Sequence, residues 1–278
     1  MTDSEVNPLA KLYRKKSIWL SLPSGGNYYP SGIDLSVDGE IGIKPMTVKD
    51  EIVLKTPDAL FNGEALVSIF QSCIPDIKNP REIPACDADV MLIGIRAASD
   101  SKMSAQSKCP KCEKEHEYTI DLIGLLSSSV KSPISNQVHL DDSVTVNCQP
   151  HTLDIQLKLN IQKFHQIRLQ HLSSTQTDLT DEQREEMFKD SFNKSIAITI
   201  ESTVKSIQSV LIGDDTVVAN DEFIKDWLDD LDRISYKKIK DKVLELNQDG
   251  LDKSISVTCA GCQHEYVTQM DLNPANFF

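Results

Sequence analysis

Two C-x-x-C pairs constrain the fold of this 278-residue chain more than any other feature. Cys109 and Cys112 form the first pair, Cys259 and Cys262 form the second, and 146 residues lie between Cys112 and Cys259. Thiolates at i and i+3 on a tight turn between two strands point the same way, so two such turns supply the four tetrahedral sulfur ligands that Zn²⁺ prefers. Residues able to form a strand precede each pair. The spacing therefore predicts one structural zinc site made of these four cysteines.

The two pairs also begin an internal repeat. Each is followed by His-Glu-Tyr and then by a strand-like stretch that ends in Asp-Leu, at 121–122 in the first copy and at 271–272 in the second. A redox dithiol is the alternative, but a thioredoxin-like pair begins a helix within a βαβ unit, whereas polar alternating residues follow here. His116 and His264 could in principle replace a thiolate. Four cysteines already fill the shell, so we expect both histidines to be strand residues.

The wide separation of the pairs predicts a discontinuous metal module. Residues 101–122 together with 251–278 would form this zinc-ribbon-like module, and residues 123–250 would be an insertion whose ends the metal holds together. Closing a long loop costs entropy only logarithmically in its length, and metal binding can offset that cost. The N-terminal part divides into an arm with short strands and an LPSGG loop (1–45) and a helical unit (46–100).

Hydrophobic periodicity predicts an α+β fold, with helical bundle regions, small β-hairpins and the Cys₄ module. Thr47 and Asp50 form a predicted capping box, and Pro57 would lie in the first turn of a second short helix. Gly63 precedes a third helix that Pro75 stops. Asp87 or Asp89 could cap a fourth helix. The basic cluster near residues 11–16 indicates a mobile arm, with partner docking as the alternative.

The predicted insertion starts with a hairpin and continues with helices. Residues 137–140 and 143–150 alternate across an Asp-Asp turn. Thr152 could cap a helix that runs to about residue 173, and Thr180 with Gln183 would open a long helix over 181–211. Alternating isoleucines at 196, 198 and 200 leave a strand open as an alternative there. A last helix is predicted over 221–246, with Asn220 or Asp221 as its cap. We expect the apolar stripes of these helices to bury against one another and against residues 46–100.

Composition narrows the class of protein. The chain has 42 Asp+Glu against 29 Lys+Arg, a formal net charge of −13, which would repel the phosphate backbone of a nucleic acid. Its apolar runs are too short to cross a bilayer, and no secretory signal is recognised. Seven cysteines without such a signal indicate a reducing compartment. We expect Cys73, Cys86 and Cys148 to be small buried hydrophobic residues.

The sequence contains no motif of a common active site. It has no H-E-x-x-H, Walker loop, G-x-S-x-G elbow or G-x-G-x-x-G. His139 beside Asp141 and Asp142 is the nearest approach to an acid–base cluster, and a hairpin turn explains it more simply. A filled Cys₄ shell leaves no open position for a catalytic water. We therefore expect a protein without enzymatic activity.

Several segments, in fixed order, resemble the baseplate hub assembly proteins of T4-like contractile-tailed bacteriophages. The resemblance is carried by the following segments: LPSGGNYYP (22–30), GEIGIKPMT (39–47), Lys49-Asp50-Glu51, TPDALFNG (56–63), SCIPDIKNP (72–80), Asp87 and Asp89 with IGIR (93–96), both Cys pairs, and DLNPANFF (271–278). It covers most of the chain and is weakest at 123–180.

The resemblance implies a non-enzymatic phage protein that builds or completes the central hub of the tail baseplate. Its partners would be other baseplate hub proteins, and not nucleic acid or a membrane. It would act in the host cytoplasm during phage assembly, either as a chaperone-like factor or as part of the virion tail baseplate. The alternatives are a zinc-ribbon nucleic-acid-binding or regulatory protein, which a basic stripe across the two cysteine turns would favour, and an enzyme with an unrecognised site.

Overall fold

The computed structural model describes residues 7–56, 63–129, 135–175, 181–213, 215–248 and 250–270. Within them the chain forms eight α-helices: α1 (Val48–Leu54), α2 (Glu64–Cys73), α3 (Ala85–Ser99), α4 (Leu122–Ser129), α5 (Leu153–Thr175), α6 (Asp181–Lys205), α7 (Asp221–Asp229) and α8 (Arg233–Gln248). The strands are β1 (Ile18–Ser21), β2 (Glu40–Ile43), β3 (Lys102–Lys108), β4 (Glu115–Asp121), β5 (Gln137–His139), β6 (Val144–Cys148), β7 (Ile207–Ile212), β8 (Thr216–Val218), β9 (Ser254–Thr258) and β10 (Glu265–Gln269). Two short 3₁₀-helices lie at Pro8–Leu12 and Pro80–Glu82.

The strands form small antiparallel sheets. Three are two-stranded (β1–β2, β3–β4 and β9–β10), and the fourth has the order β5-β6-β7-β8. The predicted α+β class is confirmed. The predicted helix at Pro57, the Thr180 cap and the segment 271–278 lie outside the described residues.

Helix α3 is the centre of the first hydrophobic core. Eleven of its fifteen residues are buried, and strands β1 and β2 pack across it. At Gly94 the sheet approaches the helix so closely that a Cβ atom would lie 2.5 Å from the Cδ1 atoms of both Leu20 and Ile43. Helices α1 and α2 also contribute to this core, as do later residues of the chain: Ile120, Leu122, Leu126, Leu153, Leu251 and Met270. The predicted capping box is confirmed, since Thr47 and Asp50 each bond the other's backbone N–H.

The N-cap of α3 was wrongly predicted. Pro84 occupies that position, whereas Asp87 is fully buried inside the first turn. The Asp87 carboxylate accepts hydrogen bonds from the Ser24 backbone N–H (2.8 Å), the Ser24 hydroxyl (2.5 Å) and the Tyr29 hydroxyl (2.7 Å). The carboxylate therefore bonds to three donors of the loop that follows β1, and it does not cap the backbone N–H groups of the helix. The loop is thus fastened to α3, and Tyr29 is packed against the core and not exposed.

Part of the basic N-terminal arm is also held in place. The Arg14 guanidinium donates to the carbonyl oxygens of Pro45 and Ser72 and lies 3.5 Å from the Asp50 carboxylate. Lys16 pairs with Asp76 and stacks over the Trp19 ring at 5.1 Å. The prediction of a mobile arm is therefore wrong for Arg14 and Lys16, because each has charged or carbonyl partners on the folded body.

A second hydrophobic core lies within residues 138–246. Strands β5 to β7 and helices α6 to α8 contribute the buried residues Val138, Val146, Cys148, Val204, Ile207, Val210, Ile224, Ile239, Val243 and Leu246. The predicted hairpin is confirmed: β5 pairs with β6, and Asp141 caps the turn by accepting from the backbone N–H groups of Ser143 and Val144. Thr152 precedes α5, as predicted.

The two predicted long helices differ from the structure. Helix α6 ends at Lys205, and residues 207–212 form strand β7, where Val210 faces Val146 of β6. Isoleucine and valine fit a half-buried sheet well, so strand pairing overrides the helical spacing. The stretch predicted as one helix over 221–246 is two helices, since Asp232 caps α8 by accepting from the Ile234 and Ser235 N–H groups. Asn220 caps α7, as predicted.

Candidate metal centre

The four paired cysteines lie at the tips of two hairpins that share one backbone geometry. Hairpin β3–β4 carries Cys109 and Cys112, and hairpin β9–β10 carries Cys259 and Cys262. In the first turn the Cys109 N–H donates to the carbonyl of residue 114 at 3.0 Å; in the second the Cys259 N–H donates to the carbonyl of residue 264 at 2.9 Å. The residue after each second cysteine, 113 or 263, is left-handed with a φ of 56°. Both tips therefore present their sulfurs in the same way.

The sulfur geometry fits a tetrahedral ion. Sγ of Cys109 lies 3.7 Å from Sγ of Cys262, Sγ of Cys112 lies 3.6 Å from Sγ of Cys259, and all four sulfurs lie within 4.8 Å of one another. Sulfurs about 2.3 Å from a common tetrahedral centre would be about 3.8 Å apart. Cys109 and Cys259 are fully buried, and the other two are partly exposed. The structure thus brings together all four cysteines that the sequence singled out, at metal-binding distance.

Backbone N–H donors favour the thiolate form of Cys259, which is the form that binds a metal ion. Burial raises the pKa of the Cys259 thiol, but N–H donors of Cys262 and Gly261 outweigh it and lower that pKa to about 6. At Cys262 the His264 N–H lowers the pKa, whereas burial and the neighbouring thiols raise it to about 12. A cluster that readily holds a thiolate at Cys259 and keeps a proton on Cys262 would release that proton when a cation binds.

The two hairpins pack face to face in layers below the sulfurs. The first layer is polar: the Ser107 hydroxyl donates to Thr268 Oγ1 at 3.1 Å, and the Tyr118 and Tyr266 hydroxyls lie 3.0 Å apart. The hydrogen bond with Tyr266 raises the pKa of the Tyr118 phenol. Next to this layer lies a cavity of about 410 Å³, whose lining combines Ser107, Tyr118 and Thr268 with the apolar residues Met103, Ile120, Ile255, Val257 and Met270. Residues that alternate with these face outward and are polar, except Val267.

In the structure, the two copies of the internal repeat superimpose with a different offset from the one that would align their His-Glu-Tyr triplets. Equivalent backbone positions differ by 150 in number, as do the cysteines and the Asp-Leu endings, whereas the His-Glu-Tyr triplets differ by 148. His116 is therefore equivalent to Tyr266, and Tyr118 to Thr268. The two-residue displacement leaves side chains on the same face of a strand, because strand side chains alternate with a period of two.

Neither histidine of the repeat belongs to the sulfur cluster. The His264 ring stacks on Tyr266, with the ring centres 6.3 Å apart. His116 lies against the opposite tip: a Cβ atom at Gly261 would be 3.2 Å from its Nε2. This Nε2 is buried and has no hydrogen-bond partner among the described residues. The sequence did not reveal this contact, since only the folded arrangement places His116 beside the second tip.

The remaining cysteines are far from a metal-binding arrangement. Cys73, Cys86 and Cys148 are buried, as predicted. Burial raises the pKa of the Cys73 thiol to about 11 and that of Cys148 to about 12, so these two are protonated at neutral pH. His139 accepts or donates one hydrogen bond with Thr145 on the exposed hairpin. Among the described residues, only the four paired cysteines form a group of three or more residues that could hold a metal ion.

Comparison with known proteins assigns the chain to a family. No match was found among curated proteins or among solved structures. Among the described helices, none is both long and apolar enough to span a bilayer. A family model described as T4 bacteriophage base plate protein matches residues 17–278. That match covers both cores and both cysteine tips, and the chain therefore belongs to the T4 bacteriophage base plate protein family.

Proposed function

We propose that this chain is a non-enzymatic component or assembly factor of the phage tail baseplate hub, which acts through protein–protein contacts. The observation that carries the proposal is the family match over residues 17–278. The narrower assignment to the hub rests on the ordered motifs from LPSGGNYYP to the second cysteine pair. Its partners would be other hub proteins, and its place of action the host cytoplasm during assembly, with the virion tail baseplate as its destination if it remains bound.

We further propose that the four paired cysteines hold one structural Zn²⁺ ion. The donor set supports zinc, since four thiolates in a tetrahedral arrangement are typical of structural zinc sites. When bound, the ion would join the two hairpins across the long insertion. No open ligand position would remain for chemistry, because four sulfurs complete the shell. Residues of the chain would hold the site in place. Backbone N–H groups orient the sulfurs, and hydrogen bonds among Ser107, Tyr118, Tyr266 and Thr268 hold the two hairpins together.

The proposed division into units follows the same logic. Residues 101–122 with 251–278 would be the metal module, and residues 123–250 would be the insertion. The presence of a separate buried cluster within 138–246 supports this division. Residues 1–45 and 46–100 share the first core, which supports describing them together as one body. Ile120 and Met270 of the metal module are buried in the same core, as are Leu126 and Leu153 of the insertion, so both units would pack on that body where they begin.

Nucleic-acid binding is less well supported than protein contact. The outward faces of the two hairpins mix Lys102 and Lys108 with Glu115, Glu117 and Glu265, so they present no continuous basic stripe. The net charge of −13 adds a general repulsion toward phosphate.

Deletion of the gene from the phage tests the hub role. We expect infected cells to accumulate baseplate intermediates without a complete hub, and we expect a plasmid copy of the gene to restore intact tails. Intact tails and baseplate intermediates would be counted in electron micrographs of the lysates. Normal tail numbers without the gene would refute the hub proposal. Quantitative mass spectrometry of purified virions against lysates then separates a virion component from an assembly factor.

A further inference from the structure

Helix α7 carries three acidic residues on one exposed face. Glu222, Asp226 and Asp229 are spaced i, i+4, i+7, which places them within about 60° around the helix axis and along about 10 Å of its length. Asp221 pairs with Lys205, whereas none of these three carboxylates has an ion-pair partner within the described part of the chain. We refer to Glu222, Asp226 and Asp229 as the acidic stripe.

Helix α8 repeats this arrangement with the opposite charge. Arg233, Lys237 and Lys240 have the same i, i+4, i+7 spacing and are all exposed. They too lack ion-pair partners among the residues that the structure describes. Each lies 11 positions after its acidic counterpart on α7. We refer to Arg233, Lys237 and Lys240 as the basic stripe.

The neighbouring charges reduce the charge of the two stripes but do not reverse it. Lys225 lies beside the acidic stripe and Asp241 beside the basic stripe, and both are exposed. Three charges of one sign against one of the other leave −2 on the face of α7 and +2 on the face of α8. Further along α8, Lys238 donates to a backbone carbonyl and Lys242 pairs with Glu245, so these side chains already have partners.

An exposed apolar residue flanks each stripe at equivalent positions. Phe223 is 65% exposed on α7 and Ile234 is 73% exposed on α8, and these two residues are also 11 positions apart. Leu244, which is 52% exposed, extends the basic stripe by one helical turn. A contact between the two faces would therefore bury apolar surface beside the paired charges.

The matching spacing makes this surface self-complementary. The two stripes have equal length and opposite charge, yet no ion pair joins them among the described residues of one chain. In a two-fold pairing, α7 of each copy would lie against α8 of the other. An isologous interface has this property, because residue i contacts residue j and j contacts i. A partner of uniform charge would match only one of the two stripes.

We propose that the chain forms a two-fold homodimer in which the acidic stripe of each copy pairs with the basic stripe of the other. The net charge of −13 per chain opposes association at long range. Salt screens exposed charges beyond roughly 8 Å at physiological ionic strength, and ions in direct contact are affected less. Exposed ion pairs contribute little individually, so we expect a weak and reversible dimer. The proposal goes beyond the hub assignment, since it rests only on the surfaces of α7 and α8.

Charge reversal of each stripe tests the proposal. Asp226→Lys with Asp229→Lys makes the α7 face basic, and Lys237→Glu with Lys240→Glu makes the α8 face acidic. At concentrations up to about 100 μM in physiological salt, sedimentation equilibrium of the wild-type protein should give a mass that rises toward twice that of the monomer. Each double variant alone should self-associate at least tenfold more weakly, because both contacts then join like charges. An equal mixture of the two variants should form dimers again, since every contact then joins opposite charges.

The substitutions should leave the fold intact. All four positions are exposed, and Asp229 is the last residue of α7, where a lysine is favourable for the helix dipole. The helix content and thermal unfolding midpoint of each variant should therefore match those of the wild-type protein.

Two variants on hairpin β3–β4 are the matched controls. Lys102→Glu with Lys108→Glu, and Glu115→Lys with Glu117→Lys, change the net charge by the same amounts at exposed positions. Each should change the dimerisation constant less than threefold. A wild-type protein that stays monomeric, double variants that dimerise as the wild type does, or a mixture that does not associate would each overturn the proposal. Because the measurement contains no other phage protein, its failure would leave the hub assignment to be decided by the gene deletion.

Discussion

Tyr118 and Tyr266 meet hydroxyl to hydroxyl at 3.0 Å beneath the sulfur cluster, although they are not equivalent residues of the internal repeat. Their rings form an edge-to-face pair with centres 6.4 Å apart. Tyr266 also donates to Ser107 Oγ at 3.2 Å, whereas within the described part of the chain the Tyr118 hydroxyl bonds only to that of Tyr266. The tip of the module is nearly two-fold symmetric, and the layer under it is not.

This asymmetry predicts unequal effects of removing the two hydroxyls. Tyr266→Phe removes two hydrogen bonds, whereas Tyr118→Phe removes one and leaves the Tyr266–Ser107 bond in place. We expect the thermal midpoint of the metal-loaded protein to fall by a few degrees for Tyr266→Phe and by less for Tyr118→Phe. Tyr13→Phe, at an exposed position, is the control. A larger loss for Tyr118→Phe would contradict the bonding pattern described above.

The sulfur geometry predicts one zinc ion per chain. Protein purified under reducing conditions should contain zinc in a 1:1 ratio by elemental analysis. The double variant Cys112→Ser with Cys262→Ser should lose it, because two ligands on opposite hairpins are removed at once. Cys73→Ser with Cys148→Ser, at buried positions away from the tips, should retain the 1:1 ratio even if it is less stable. Zinc retained by the first variant would show that the ligands lie elsewhere.

Chelation should loosen the metal module before the second core. A metal site contributes folding free energy to the elements that it joins, here β3–β4 and β9–β10. Hydrogen exchange with a strong chelator should therefore show lost protection mainly in Lys102–Asp121 and Ser254–Gln269. Amides near Val204 and Ile239, within the second core, should stay protected. Simultaneous loss in both regions would mean that residues 123–250 do not form an autonomous unit.

The features predictable from sequence are those with local causes. The Thr47 capping box, the Asp141 turn and the Asn220 cap each involve residues within four positions of one another, so their spacing alone reveals them. The cysteine set was predictable despite its separation, because the chemistry of four thiolates has few alternatives.

The features that sequence could not reveal depend on distant partners. The helical spacing of Ile207 and Leu211 was overridden by pairing with strand β6, about 60 residues earlier in the chain. The apolar residues Phe188, Phe192 and Ile196 of α6 were predicted to be buried, but they are 43%, 64% and 44% exposed, because hydrogen bonds from Gln162 and Gln166 of α5 to serines of α6 occupy the contact between the two helices. Asp87 was predicted to be a helix cap because of its position near the start of α3. Its actual partners, Ser24 and Tyr29, lie about 60 positions away in the sequence and could not be recognised from spacing.

The buried Asp87 carboxyl predicts a pH dependence of stability. Burial raises its pKa above the ordinary value, although hydrogen bonds from Ser24 and Tyr29 lower it in part. The folded state therefore binds this proton more tightly than the unfolded state. The stabilisation is fully present below the unfolded pKa, about 4, and is lost as pH rises through the folded value.

Asp87→Asn removes this titration and provides the test. Urea unfolding between pH 4 and pH 7 should show the wild-type free energy of unfolding falling relative to that of Asp87→Asn as pH rises, by about 1.4 kcal/mol for each unit by which burial raises the pKa. Asp38→Asn, at an exposed loop position, should leave the wild-type pH profile unchanged. If the wild-type protein instead gains stability relative to Asp87→Asn as pH rises, the hydrogen bonds from Ser24 and Tyr29 outweigh burial, and the carboxyl group is held in its charged form throughout this range.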